Sequence, residues 1–498
     1  LRKTLDNGLT LYVRRNGNPG GRAIMYLLVA TGSSSERDVQ AGYAHFVEHM
    51  AFNGTTNFPE NDLVNYLRSI GMDFGAEINA HTTREETLYI LEMPLSDSGF
   101  FETGLTVLKD WATGVTFDPS EVEKEKGVIL EEMRLGRSAD EDARIREVSG
   151  LLAGTRHEKR EPIGTEASVR SATAESLREF YREHYRPDRM AVIIVGDIDV
   201  ADVAAKAETV FSYPAGPGGV QTRTILPVAP TSDMGFVKTV DSRFDRSVVT
   251  YRKIVPYEPE VTLGDYVRLL KGRLAAEAIR LRLADLSRAG GTPWRAAYFS
   301  DDYFYGRTRL YSFTLTSADG GELAAFAGLA EEVERLRRFG FTDSEFRRTI
   351  DTYRRWLGSL DVEDEDLKSG DFAQEYVRNF MYGEPVPGVV NERVYIRATL
   401  DAMTIEDLNA TAREILAADE GFVAVRARTD PPAARLTEAE FEKVLRGVRT
   451  ASLAPPVSGG DEAGLFDNAP PAGTVVSSET LQDGLTRLVL SNGATILL

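Results

Sequence analysis

Two stretches crowded with proline and glycine mark where packed structure should stop in this chain. Residues 213–232 carry Pro214, Gly216, Pro217, Gly218, Gly219, Pro227 and Pro230, and residues 453–480 carry Pro455-Pro456, Gly459-Gly460 and Pro470-Pro471. Proline lacks a backbone donor and glycine loses most entropy on ordering, so such stretches sustain neither helix nor sheet. The expected organisation is one domain over 1–230, a second over 231–452, a linker over 453–480 and the start of a further unit at 481–498. At 498 residues the chain is also too long for a single core.

Hydrophobic periodicity fills these units with mixed elements. In the first, strands are expected at Leu9–Val13 after the Asn7-Gly8 turn, at Ala23–Ala30, at Thr87–Leu91 and at Met190–Val195. Helices are expected over 42–53, 59–70, 98–112, 119–136 and 199–211. Strands and helices in this mixed order predict an α+β fold. The second unit is expected to contain a long Arg-rich helix at 264–288.

Two internal echoes add to this. Thr173-Ala174-Glu175-Ser176-Leu177 precedes the 190–195 strand, and Thr404-Ile405-Glu406-Asp407-Leu408 precedes Phe422–Val425. Each is a capped helix leading into a strand, which points to duplicated domains. Leu5-Asp6-Asn7-Gly8-Leu9-Thr10 is likewise echoed by Leu490-Ser491-Asn492-Gly493-Ala494-Thr495, as if a third copy begins there. A further C-terminal half is therefore expected beyond this sequence. The first residue is Leu1 rather than methionine, so an upstream segment with any signal peptide is expected to have been removed.

Composition excludes several classes. A net charge of −19 argues against a nucleic-acid partner and mildly favours cationic peptides. Cysteine is absent, which removes disulfides, Cys-based zinc sites and a thiol nucleophile. No apolar run reaches the ~18 residues of a membrane span. A bacterial periplasm is favoured over cytoplasm as the compartment.

The chemistry concentrates in His45-Phe46-Val47-Glu48-His49. On a helix, His45 and His49 share a face, and Glu48 lies close to it. This is H-x-x-E-H, the inversion of a common zinc motif. Two neutral imidazoles suit Zn²⁺, a catalytic site needs a third protein ligand, and Glu48 becomes the candidate general base. Ala44, Phe46, Val47, Met50, Ala51 and Phe52 make this helix largely apolar, and buried polar groups within it demand partners.

Third-ligand candidates lie on the 119–136 helix, which carries Glu121, Glu123, Glu125, Glu131 and Glu132. Its buried stripe is expected to hold Val128 and Ile129, and helical spacing puts Glu125 and Glu132 on the same stripe. Glu131 is the rival to Glu132.

Residues Gly42 to Thr55 closely resemble the signature of the pitrilysin family of inverted-zincin metallopeptidases. Gly32-Ser33 and Glu36 upstream, Asn79-Ala80-His81-Thr82, Pro162-Ile163-Gly164 and Tyr185-Arg186-Pro187-Asp188-Arg189-Met190 resemble further family features. The likeness is strong over residues 1–212 and weak beyond.

It implies two duplicated α/β-sandwich domains, the first binding one Zn²⁺ through His45, His49 and Glu132, with Glu125 in support. It implies zinc-dependent hydrolysis of peptides or unfolded segments, Glu48 acting as base. Asn79, Ala80, His81 and Thr82 would form an exposed edge that binds the peptide as an added strand, although His81 could equally be an ordinary exposed edge residue. The second domain, with no histidine, is expected to be non-catalytic. His157 and His184 are expected to be structural. A missing C-terminal half, or a second copy of the chain, would close the chamber. The alternative is a catalytically weak peptide-binding or assembly half that depends on such a partner.

Overall fold

The computed structural model describes residues 1–216, 218–221, 228, 234–359, 366–417, 421–428, 436–456, 473–481 and 485–498. Its first sheet has six strands: β1 (Arg2–Thr4), β2 (Thr10–Arg15), β3 (Arg22–Val29), β4 (Ile78–Thr82), β5 (Thr87–Pro94) and β6 (Met190–Gly196). They lie in the order β1-β2-β6-β3-β5-β4, so β4 is an edge. All seven residues of β6 are buried, as the apolar run Met-Ala-Val-Ile-Ile-Val requires when both sheet faces are covered.

The second sheet repeats this plan. It contains β7 (Gly235–Val240), β8 (Ser247–Pro256), β9 (Ala296–Tyr303), β10 (Thr308–Ser317) and β11 (Phe422–Ala427), in the order β7-β11-β8-β10-β9. Replacing β2, β6, β3, β5 and β4 by β7, β11, β8, β10 and β9 reproduces every pairing, including the parallel β2–β6 and β7–β11 contacts. The fold is α+β, and the duplication suggested by the Thr173 and Thr404 segments extends to the whole sheet. Both segments are capping boxes at helix starts.

Each sheet buries one face under a helix sent from the other unit. Helix Ser369–Tyr382 lays Phe372, Ala373, Val377 and Met381 on Tyr12, Tyr26, Leu28 and Ile193 of the first sheet. Helix Ala139–Leu151 crosses to the second sheet, where Leu151 meets Phe422 and Ala424. A Cβ on Gly150 would sit 2.7 Å from Val237, so glycine permits this close approach. Glu147 on the same helix is 2% exposed and ion-pairs with Arg252 at 3.0 Å and Arg426 at 2.6 Å. The exchange fixes the two sheets against each other.

A third sheet holds β12 (Val475–Thr480), β13 (Thr486–Leu490) and β14 (Thr495–Leu497). The Asn492-Gly493 turn matches the Asn7-Gly8 turn bond for bond. Leu490 N donates to Ala494 O at 2.8 Å as Leu5 N does to Leu9 O, and each asparagine side chain accepts from the amide two residues on at 3.1 Å. Gly493 and Gly8 have φ of +84° and +94°. β12 lies inside the stretch expected to be linker. Proline and glycine end at Gly473, and Val475-Val476-Ser477-Ser478-Glu479-Thr480 is free to pair with β13. Residues 457–472 of that linker, and residues 217, 222–227 and 229–232 of the first one, lie outside the described residues.

Candidate metal centre

The H-x-x-E-H helix runs Tyr43–Met50 and starts at Gly42, whose φ of +92° suits glycine alone. A Cβ there would lie 2.8 Å from Ile163 O, so Pro162-Ile163-Gly164 backs directly onto the helix start. Gly42 cannot cap the helix with a side chain. Glu36, wholly buried, does so from a distance: its Oε2 accepts from Gly42 N at 3.0 Å and its Oε1 from Ala44 N at 2.9 Å. A carboxylate also complements the positive end of the helix dipole. Burial pushes the Glu36 carboxyl up to about 8 against the pull of these amides and of Arg160.

Phe46, Val47 and Met50 are fully buried and set the rotation of this helix. His45 and His49 are thereby turned into one cleft, with 12% and 19% of their side chains exposed and ring centroids 4.5 Å apart. Glu132 enters from helix Pro119–Leu135, its Oε1 3.6 Å from His45 Nε2 and its Oε2 3.3 Å from His49 Nε2. Zinc–ligand bonds of about 2.0–2.1 Å in a tetrahedron put ligand atoms roughly 3.4 Å apart. The donor set therefore fits one zinc ion, and among the described residues it is the one cluster of three such groups.

Further side chains hold these candidate ligands in place. Glu125 Oε1 lies 2.7 Å from His49 Nδ1, and its Oε2 accepts from Asn53 Nδ2 at 2.5 Å. This leaves His49 Nε2 for the metal, the usual role of a carboxylate behind a ligating imidazole. Burial lowers the His45 imidazole to about 4, with His49 adding to the effect. Burial also works to lower His49, but its hydrogen bonds to Glu125 and Glu132 prevail and raise it to about 9. A cation is thus favoured between the carboxylates, and a metal would displace that proton.

Glu48 is 8% exposed and stands outside the ligand set. Its Oε2 accepts from Thr82 Oγ1 at 2.5 Å, and burial raises its carboxyl. Thr82 ends β4, so the edge strand also orients the candidate base. Along β4, Ile78 is buried, Asn79 and His81 are exposed, and Ala80 and Thr82 are half-buried. His81 is 47% exposed, lies 3.9 Å from Glu86 and is not part of the His45–His49–Glu132 cluster. His157 and His184 are buried away from the centre: His157 contacts Ser34 and burial holds His184 at about 3.

One expectation fails on the Glu helix. Val128 is 52% exposed, and the buried positions are Val122 and Ile129. Adjacent helical residues diverge by about 100°, so a stripe centred on Ile129 turns Val128 to solvent. Glu132 is not on a buried face either; at 48% side-chain exposure it borders an open cleft. Glu131, 53% exposed, holds Arg134 through bonds of 2.8 and 2.6 Å and points away from the histidines. Asn53 and Glu36 fall within the family likeness, but their roles were not legible, because Asn53 acts through a contact 72 residues away and Glu36 caps the helix from outside it.

Residues 13–161 match the Insulinase (Peptidase family M16) family and residues 171–256 match the Peptidase M16 inactive domain. The chain is 28% identical to the zinc protease PQQL-like of Arabidopsis thaliana, over 99% of its own length and 49% of the relative's. It is 28% identical to the probable zinc protease PqqL of Escherichia coli K12, over 99% and 53% of the two lengths. The crystal structure of the periplasmic protease PqqL from Escherichia coli superposes with a TM-score of 0.84 at 25% identity, covering 100% of this chain and 55% of that one. The chain thus spans about half the length of these two curated relatives. Motif, topology and these likenesses together show that the chain belongs to the M16, or insulinase, family of peptidases.

Proposed function

We propose that this chain carries the metal-binding and base-bearing part of a zinc-dependent endopeptidase. The observation behind it is the convergence of His45 Nε2, His49 Nε2 and the Glu132 carboxylate at zinc-ligand spacing, with Glu48 beside them but not among them. Zinc held there, one per chain, would act as a Lewis acid toward a peptide carbonyl and lower the pKa of the attacking water. Glu48 accepts that water's proton and passes it to the leaving amine, while Thr82 fixes the carboxylate. The β4 edge pairs with an extended peptide through main-chain bonds, which favours unfolded segments over a particular sequence.

The cleft needs a further wall. Val128 and Leu135, 52% and 69% exposed, flank Glu132 along its helix, and Phe74 is 50% exposed. The two PqqL-type relatives are about twice as long, so additional residues of a longer protein would supply this cover, with a second copy of the chain as the other source. A periplasmic location follows the likeness to the Escherichia coli protease; among the described residues no helix is long and apolar enough to cross a membrane. The weak peptide-binding half is the less favoured reading, because the ligand set and base are both present. Stripping metal with a chelator should abolish cleavage of a quenched peptide, and zinc should restore it up to one equivalent per chain. Activity that survives complete metal removal would overturn the proposal.

A further inference from the structure

A second cavity opens where β4 ends. It has a volume of about 390 Å³ and is lined by the turn Thr82–Glu86, by Arg144, Glu161 and Pro162, and by Tyr303, Phe304, Tyr305 and Tyr382. Thr82 belongs to both places: its hydroxyl holds Glu48 and its residue borders this cavity. Strand alternation sends Thr82 to the face of the metal helix and His81, beside Glu86, to the other. A peptide lying along β4 therefore delivers alternate side chains to this side of the sheet.

The cavity is built for positive charge. Glu86 is 8% exposed, and its Oε2 is buried with no hydrogen-bond partner among the described residues. The Tyr305 hydroxyl on the same wall is likewise buried and unpartnered. Uncompensated groups of this kind are costly in a folded protein. The two cations in the lining are already engaged. Arg84 is held by Glu161 and stacks over Tyr305 at 4.9 Å; Arg144 binds Glu141 at 2.7 Å and Glu161 at 2.9 Å. The remaining unpartnered atom, Arg84 Nε, belongs to the guanidinium that Glu161 holds. Glu85 accepts from two donors of the second domain, Tyr303 Oη at 3.2 Å and Gly306 N at 2.9 Å. Carboxylates thus outnumber guanidiniums in the lining. Tyr303 and Tyr382 meet at 4.3 Å, and aromatic faces suit both a cation and the aliphatic stem that carries it.

We propose that this cavity is a subsite for a lysine or arginine side chain of the bound peptide, with Glu86 as its counter-charge. The assignment rests on the peptidase reading, because it places the peptide on β4. Glu86 comes from the catalytic domain and the aromatic wall mainly from the second, so the second domain gains a role in selecting substrate.

The test uses the zinc-loaded chain and fluorescent peptides of one sequence, with lysine moved through successive positions and norleucine as the neutral match. Anisotropy should show lysine at one register position binding about tenfold tighter than norleucine. Glu86→Gln should erase that preference without lowering zinc content, thermal stability or norleucine-peptide binding, and Tyr305→Phe should weaken it. Equal binding of lysine and norleucine at every position, or a preference that survives Glu86→Gln, would overturn the subsite while the peptidase reading stands. No binding of any peptide would remove both.

Discussion

Glu131 and Glu132 are neighbours in sequence with different surroundings. Glu132 faces both imidazoles, whereas Glu131 is occupied by Arg134 at the helix surface. Glu132→Gln should therefore lower zinc affinity by more than ~100-fold, beyond the roughly 10–100-fold usual for a supporting residue. Glu131→Gln should leave it unchanged. Metal analysis of both variants checks this, and the reverse pattern would show that the ligand is Glu131. At this scale the sequence was legible where the contacts are local. His45 and His49 meet because one helical turn separates them, and Glu48 follows from the same geometry. Glu132 needed the family resemblance to single it out, since periodicity alone left a rival and misplaced Val128. Asn53 and Glu36 act through bonds across 72 and 6–8 residues, and neither leaves a periodic trace.

At the scale of elements, the edge position of β4 and the exchanged helices decide how the centre is held. The strands and helices expected at the start of the chain are present, because their hydrophobic period and turn residues are strong: Asn7-Gly8 sets the first hairpin and Gly42 the motif helix. The exchange itself was not legible. Helix Ala139–Leu151 is short of large apolar residues, and its buried face is made instead by Ala143, Glu147 and Leu151, which contact the other unit or the helix's surroundings. Its most telling residue is a buried glutamate, which reads in sequence as an ordinary surface charge. Glu147→Ala removes the buried carboxylate that Arg252 and Arg426 share at the junction, leaving Arg426 with Asp140 and Arg252 with the Ser312 hydroxyl, and should cost about 3 kcal/mol. Urea unfolding measures this; a change under ~0.5 kcal/mol would mean that the ion pairs do not hold the units together.

Across the whole molecule, duplication assigns different work to two similar units. The topology repeats strand for strand, yet the second unit places one long helix, Leu263–Ala289, between β8 and β9, where the first has the segment with His45, Glu48 and His49 between β3 and β4. That helix carries no histidine. The second unit contributes a helix to the first sheet and an aromatic wall beside β4, so it supports and shapes a centre it cannot form itself. Weak echoes of five or six residues pointed to the repeat because capped helix starts and Asn-Gly turns tolerate little change, while the packed residues between them had diverged. The central claim is that the histidines and Glu132 hold the metal while Glu48 moves the proton, and it separates binding from turnover. Peptide cleavage should be measured for the parent and for Glu48→Gln at equal bound zinc, in the longest active form of the protein. The account predicts unchanged zinc and a rate at least ~10²-fold lower; near-parental turnover by the zinc-loaded variant would contradict it.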